Sequence, residues 1–218
     1  AMMQKLAAVK GSGKDIVLLT QTFASPSTSK LISEFKSKFG NVRHVQYDAL
    51  SASGMLDANE RNFGKRVLPT YSFDKADVIV SFGADFLSDW IDVVHEKDYI
   101  ANRDPKTGKM SRHYQFEANL SLSGANADVR VPVKGSQEAT AVAALYNKLA
   151  KKNGLPSFGK VSLPAHADTK LTAAAEDLHA AKGKALVVSN SNSSEVQEIV
   201  NAINFMLKSQ VLKIIFII

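Results

Sequence analysis

Short apolar runs alternate with helical periodicity over the first fifty residues of the chain. Residues 15–19 are too few for a helix and are typical of a strand in a parallel sheet. Ser25 and Pro26 predict the N-cap and first position of a helix that ends at Gly40. Residues 42–47 predict a second strand. This β-α-β order favours a doubly wound sheet with right-handed crossovers.

Strand and helix patterns keep alternating through the middle of the chain. Ser136 is expected to cap a helix, and residues 152–164, punctuated by glycine and proline, predict a linker after it. The apolar stripe expected on that helix contains Val142, Leu145, Tyr146 and Leu149. The elements expected before it are a helix at 53–66, a buried strand at 78–82, a short helix at 90–99, a loop at 102–112 and an extended segment at 115–120.

The end of the chain predicts a closing helix–strand–helix segment. After a helix at 168–181, Gly183 ends the helical pattern and residues 184–188 predict a strand. Asn192 and Glu195 have the spacing of a capping box at the start of the next helix.

These elements together predict one α/β domain over residues 1–218. It has three layers and a mainly parallel, doubly wound sheet, and its closing segment is residues 165–218. The last strand and helix come from residues 184–207, and the apolar tail 212–218 fits a buried strand.

The absence of cysteine limits the chemistry that this chain can perform. With 0 Cys among 218 residues, it can form no disulfide, cysteine-ligated cluster or cysteine nucleophile. The net charge of +6 permits an acidic partner, but the basic residues are scattered singly, as on a solvated surface. No stretch reaches the roughly 20 apolar residues of a membrane-spanning helix. The start at Ala1 indicates a fragment of a larger subunit.

Two motif-like segments lack residues that the corresponding sites need. Gly11-Ser-Gly-Lys14 has no earlier glycine of a phosphate loop and precedes a strand instead of a helix. His95 begins a zincin-like segment, but Tyr99 stands where the second histidine must lie. We therefore expect no metal ligand and no catalytic residue in this chain.

A basic loop covers residues 97–114, with five Lys or Arg against two Asp or Glu, interleaved with Tyr99, Met110 and Tyr114. Arginine contacts phosphate and rings stack on bases, so this loop could bind nucleic acid. The loop could equally contact another subunit, or it could be a solvent-exposed loop without a binding role. A nucleic-acid or protein binding module therefore remains an alternative function, although no nucleic-acid partner is expected.

The turn Phe82-Gly-Ala-Asp85 is a sharper candidate for a site. A glycine at the carboxyl end of a parallel strand lets a ligand approach the backbone, where such folds bind nucleotides. A tight turn that needs a positive φ explains the same pattern equally well.

Two longer segments resemble a known family. Residues 72–85 and 121–137 resemble the nucleotide-binding core of the molybdopterin oxidoreductases, which include formate dehydrogenase and dimethyl-sulfoxide reductase. Residues 21–27, 111–119 and 123–128 are similar to one branch, the molybdopterin-oxidoreductase-like region of the iron–sulfur subunit of alternative complex III. The resemblance implies a domain like those of formate dehydrogenase and dimethyl-sulfoxide reductase.

The resemblance also implies a site for molybdopterin guanine dinucleotide. The matching cofactor-binding positions are Gly83, Asp85, Glu117, Asn119 and Gly135. Asp85 replaces the family's asparagine, and Glu117-Ala-Asn119 replaces its Asp-Pro-Arg, so two acidic groups face the pyrophosphate and no arginine offsets them. We therefore expect a vestigial site without cofactor, although Glu117 could still recognise guanine through its ring and amino N–H groups.

The function implied is that of a structural, cofactor-free domain in an iron–sulfur electron-transfer subunit of a quinol oxidoreductase. The expected partners are the other subunits of a membrane-bound respiratory complex, at the periplasmic face of the inner membrane. Iron–sulfur clusters are expected elsewhere in the full-length protein. The enzyme alternative is a genuine molybdopterin oxidoreductase whose missing regions supply the metal ligands.

Overall fold

The computed structural model describes residues 1–23, 25–88, 90–91, 94–108 and 110–213, and the chain divides into two compact units, residues 1–51 and 52–218. The first unit contains α1 (Met2–Val9), β1 (Ile16–Thr20), α2 (Pro26–Phe39) and β2 (Val42–Gln46).

The predicted β-α-β unit is confirmed in the first of these units. Strands β1 and β2 pair in parallel, from Ile16 beside Val42 onwards. The side chain of Ser25 caps α2 by accepting the N–H of Thr28, and Gly40 ends the helix with a φ of 81° that a glycine adopts without strain.

Four parallel strands form the main sheet of the second unit, in the order β6-β5-β4-β7. A separate antiparallel pair joins β3 to β8. The elements of this unit are α3 (Ser53–Phe63), β3 (Thr70–Tyr71), β4 (Val78–Phe82), α4 (Val94–Ala101), β5 (Arg112–Glu117), α5 (Leu122–Ala125), β6 (Val129–Pro132), α6 (Glu138–Lys152), α7 (Ala165–Ala180), β7 (Ala185–Ser189), α8 (Ser194–Met206) and β8 (Leu212–Lys213).

Two apolar clusters cover opposite faces of the four-stranded sheet. Val80 of β4 and Val187 of β7 lie in the first cluster, together with residues of α6, α7 and α8. Ile79 and Val188, their neighbours in sequence, lie in the second cluster with Tyr99 of α4. Because successive residues of a strand point to opposite faces, helices cover both sides of this sheet. The parallel α/β architecture predicted from the sequence is therefore confirmed, and the two helical layers are consistent with three layers.

Strand β5 begins earlier than the sequence pattern indicated. The extended segment was expected at 115–120, whereas the strand runs from Arg112 to Glu117. The reason is that His113 and Gln115 are polar but fully buried, so their alternation with apolar neighbours does not mark an exposed face.

Two helix starts also differ from their predicted positions. Ser136 lies in a 3-10 turn, and α6 begins at Glu138. Ser193, not Asn192, caps α8, since its Oγ accepts the N–H of Val196 at 3.3 Å. The stripe predicted on α6 is confirmed: Val142, Leu145 and Leu149 are buried and Tyr146 packs against their cluster.

Residues 153–164 contain neither helix nor strand and connect α6 to α7 within the second unit. The expected tail strand begins as β8, paired with β3, and residues 214–218 lie outside the described residues.

Candidate functional site

The four strands of the main sheet end at one edge, here called the carboxyl edge. The connection leaving β4 leads to α4 on one face, whereas β7 leads to α8 on the other face. Neighbouring parallel strands whose connections diverge in this way leave a crevice at their carboxyl ends, where α/β proteins bind ligands. This switch point lies between Gly83, after β4, and Asn190, after β7.

Two of the five predicted site residues converge on α5. Asp85 Oδ1 accepts the N–H of Ser123 at 2.8 Å. Glu117 Oε2 accepts the hydroxyl of Ser121 at 2.6 Å, and its Oε1 accepts the N–H of Ser121 at 3.2 Å. Both carboxylates therefore hold the short helix in place.

Close packing around Glu117 explains why a glycine occupies position 124. A Cβ atom on Gly124 would lie 1.9 Å from Glu117 Oε1, closer than any real contact. The hydroxyl of Ser123 also accepts the N–H of Leu87 at 3.0 Å, which ties the turn after β4 to α5. The α5 region is thus fixed from two neighbouring strands.

Glu117 has a cationic partner that the sequence did not reveal. Arg130 of β6 donates its Nε–H to Glu117 Oε1 at 2.6 Å. Burial alone would raise the pKa of Glu117, but the hydrogen bonds from Ser121, Arg130 and Gln115 outweigh it and hold the pKa below its ordinary value. The expectation that no arginine offsets this carboxylate is corrected, because parallel pairing places Arg130 beside β5.

Buried polar groups continue along β5 from Glu117. Gln115 Nε2 donates to Glu117 Oε2 at 3.1 Å, and Gln115 Oε1 lies 3.2 Å from His113 Nε2. The ring proton therefore belongs on Nε2, and Nδ1 accepts from the hydroxyl of Tyr99 at 3.1 Å. Burial lowers the pKa of His113 to about 4 and raises the pKa of Tyr99 to about 12, so both groups are neutral near pH 7.

The other three predicted site residues lie apart from α5. Gly83 has a φ of 66° and lies at the switch point against Glu138. Asn119 is exposed on the loop after β5, and Gly135 is exposed after β6 with open space where a side chain would stand. The structure thus joins Asp85 to Glu117 but does not gather all five residues around one cavity.

Glu138 is a site residue that sequence reasoning missed. It is the first residue of α6, where an acidic group is commonly read as a partner of the helix dipole. Burial raises its pKa above the ordinary value, and a hydrogen bond from Ser189 offsets this only in part. In the sequence, Glu138 looks like an ordinary surface glutamate. Only the folded structure distinguishes it, because it places Glu138 beside β4 and β7.

An open pocket of about 550 Å³ lies at the ends of β5 and β6. Ala118 and Pro132 contribute apolar surface, and Lys134 and His166 add polar groups to the lining. The pocket therefore lies at the ends of β5 and β6, close in sequence to α5 through Ala118.

Much of the charge in the basic loop serves the fold. Arg103 forms two hydrogen bonds to Asp128, at 2.9 and 3.0 Å, and its guanidinium lies over the ring of Tyr99. The guanidinium of Arg112 lies over the ring of Tyr114. Arg103 is therefore engaged with its own chain, whereas the side chain of Arg112 remains exposed. The nucleic-acid alternative stays a hypothesis. Lys109 lies outside the described residues.

No group of three or more His, Cys, Asp or Glu side chains is placed to hold a metal in the part of the chain that the structure describes. Within the same residues, no helix has the length and apolar content needed to cross a membrane. The expectation that this chain binds no cofactor stays a prediction.

Comparisons with known proteins show the fold but not a family. No family model and no curated protein matches the chain. Among solved structures, it is similar to a chain from the formyltransferase/hydrolase complex (FhcABCD) of Methylorubrum extorquens in complex with methylofuran, with 16% identity and a TM-score of 0.57. The match covers 94% of this chain and 53% of that one, so this chain spans about half the length of its structural neighbour.

These findings correct the predicted molybdopterin oxidoreductase family and the electron-transfer function. The solved chain described above belongs to a formyltransferase/hydrolase complex, and no comparison supports molybdopterin, iron–sulfur clusters or alternative complex III. The physical reason is that the motifs carrying the resemblance serve the parallel fold itself. Gly83 ends a strand with a positive φ, and Asp85 and Glu117 hold the α5 turn. The predicted assignments were therefore wrong.

Proposed function

We propose that this chain is a subunit-docking domain of a larger, multi-subunit protein. The observation that carries the proposal is the hydrogen-bonded support of residues 118–123, here called the α5 tip. Leu120 and Leu122 are 68% and 54% exposed at this tip. Two exposed leucines on one hydrogen-bonded turn present apolar surface that a partner can cover.

The support of the tip comes from acidic side chains that lie at or just after the ends of two neighbouring strands of the sheet. Two carboxylates and two serines fix the tip: Glu117 and Asp85 accept from Ser121 and Ser123. A surface that is already ordered loses little conformational entropy on binding, so this arrangement favours association.

The surroundings of the tip fit a partner protein. The open pocket of about 550 Å³ includes Ala118 of the tip and offers Lys134 and His166 as polar groups. A partner side chain can enter the pocket while the leucines pack on its surface, which gives an apolar centre with a polar rim. The structural neighbour comes from a complex and is about twice as long, which agrees with a domain that works inside an assembly.

The test removes the apolar tip while leaving its supports intact. The full-length protein, tagged and purified from its own cells, is compared with the double variant Leu120→Ser, Leu122→Ser by native mass spectrometry. The wild type is expected to carry partner chains in fixed stoichiometry, and the variant is expected to lose them with unchanged circular dichroism.

The matched control is Phe205→Ser, which removes a side chain 84% exposed on α8. It should keep the partners. A wild-type protein that is monomeric, or a tip variant that keeps its partners in full, would show that the α5 tip is not a docking surface.

A further inference from the structure

The open pocket at the ends of β5 and β6 has an apolar lining with a basic side. Ala118 and Pro132 contribute apolar surface to its volume of about 550 Å³. The polar groups of the lining come from Lys134, Gln137 and His166. Within the described residues, no aspartate or glutamate lines the pocket, so its charged and hydrogen-bonding groups are of one kind.

The polar groups of the lining are left as donors. Lys134 is exposed and has no ion pair in the described ranges of the chain. Gln137 Oε1 accepts the backbone N–H of Lys134 at 3.2 Å, so the side-chain Nε2 group of Gln137 remains as a donor. His166 Nε2 lies 3.2 Å from the carbonyl of Pro132, which places this ring beside the pocket. Lys170, four residues after His166 on α7, is exposed on the same side of the helix and adds positive charge.

The acidic side chains nearest to the pocket in sequence have other partners. Glu117 forms its ion pair with Arg130 at 2.6 Å. Asp168 forms its ion pair with Lys148 at 2.9 Å. Glu138 lies against the ends of β4 and β7. The positive charge beside the pocket is therefore not matched by these carboxylates.

We propose that this pocket binds an acidic side chain, an aspartate or a glutamate, of the partner subunit that covers the α5 tip. The carboxylate accepts from Lys134 Nζ and Gln137 Nε2, while its methylene carbons contact Ala118 and Pro132. Hydrogen bonds between charged groups are stronger than neutral ones, and complementary charges fix the register of two surfaces. This inference rests on the proposed docking function and adds the chemistry of the partner.

A zero-length cross-link tests the contact directly. The full-length protein is purified from its own cells together with its partner chains and treated with a water-soluble carbodiimide. This reagent activates a carboxyl group, and a lysine amine in contact with it then forms an amide bond as the urea leaves, with the net loss of one water. Mass spectrometry of the digested complex is expected to find Lys134 joined to an aspartate or glutamate of a partner chain.

Three variants separate the charge of Lys134 from its ability to form a cross-link. Lys134→Arg keeps the charge but has no amine, so it should keep the partners and lose the cross-link. Lys134→Glu places like charges together and should weaken association by at least about tenfold in a dilution series followed by native mass spectrometry. Lys30→Glu, at an exposed position of α2, changes the net charge equally and should keep the wild-type affinity.

The outcomes distinguish this inference from the docking function. If the complex forms and depends on Leu120 and Leu122, but Lys134 is not joined to a partner carboxyl group, the inference is wrong and docking stands. The same conclusion follows if Lys134→Glu associates as tightly as Lys30→Glu. A wild-type protein without partner chains would overturn both the inference and the docking function.

Discussion

His113, Gln115 and Glu117 occupy alternate positions of one strand, so their side chains share one face of the sheet. Each donates towards the next: Tyr99 to His113, His113 to Gln115, and Gln115 to Glu117. Glu117, at the end of the row, carries a negative charge, and Arg130 forms a hydrogen bond to it. The negative charge of Glu117 favours an arrangement in which each group of the row donates towards it. A buried polar row of this kind fixes one arrangement of β5, α4 and α5.

The row makes stability depend on pH through His113. Its pKa is about 4 in the folded protein, whereas an unfolded histidine titrates near 6.5. Between these values the unfolded chain binds a proton that the folded chain does not, so stability is present above about pH 6.5 and is lost as the pH falls. From pH 7 to pH 5 the free energy of unfolding should fall by about 2 kcal/mol because of His113. The variant His113→Gln should not show this contribution to the fall.

Urea unfolding followed by the fluorescence of Trp90, the single tryptophan, measures this slope in the second unit. Hydrogen bonds lower the pKa values of Glu117 and Asp128 and move their titration below this window. Burial raises the pKa values of Glu138 and Asp98, but these groups contribute equally to the wild type and to His113→Gln, so the difference between the two slopes reports His113. His166→Gln, at an exposed histidine, is the matched control and should keep the wild-type slope. If the free energy of unfolding changed equally with pH in the wild type and in His113→Gln, the prediction would be wrong.

At the scale of elements, α8 completes the outer edge of β7. Asn204 accepts the N–H of Val187 at 2.9 Å and donates to its carbonyl at 2.8 Å, as a neighbouring strand would. Gln197 donates to the carbonyl of Ser189, and Ser209 donates to that of Ala185. These side chains satisfy alternate backbone groups that β4 does not reach, and they cover an edge that would otherwise attract another strand.

Asn204→Leu tests this edge without leaving a large cavity. The change leaves one buried N–H and one buried carbonyl unpaired, so the free energy of unfolding should fall by about 2–4 kcal/mol in urea titrations. Asn201→Leu, on the same helix, removes side-chain hydrogen bonds to the buried Asn59 and to Asn62 but leaves no backbone group unpaired, so it should cost less than Asn204→Leu. If both variants lost the same free energy of unfolding, the hydrogen bonds between Asn204 and β7 would not be the source of this stability.

Elements whose stability is local could be predicted from the sequence, and those that depend on tertiary contacts could not. Helix α2 was predicted with both ends because Ser25 and Gly40 act within a few residues of the helix. No pattern indicated α5, which has four residues and is held by Asp85 and Glu117 from distant strands. Glu138 escaped notice for the same reason, since its environment is formed by β4 and β7.

For the whole molecule, the sequence predicted the parallel α/β architecture but led to the wrong family. Alternating apolar runs and helical stripes determine which elements form and on which face they pack. Short strand-end motifs such as Gly83-Ala-Asp85 carry little information about ancestry, because any parallel sheet needs turns there. The structure assigns these residues supporting roles instead.

The division of the chain into two units leads to a final prediction, that residues 52–218 fold without residues 1–51. Both apolar clusters lie within the second unit, whereas Phe39 is the buried apolar residue among the described residues of the first. The fragment 52–218 should therefore unfold cooperatively in urea with Trp90 as the probe, because it retains the whole core that this residue reports. The fragment 1–51 buries too little apolar surface to offset its conformational entropy and should show the circular dichroism of an unfolded chain. Non-cooperative unfolding of 52–218, or a stable fold in 1–51, would place part of the essential core in the first unit.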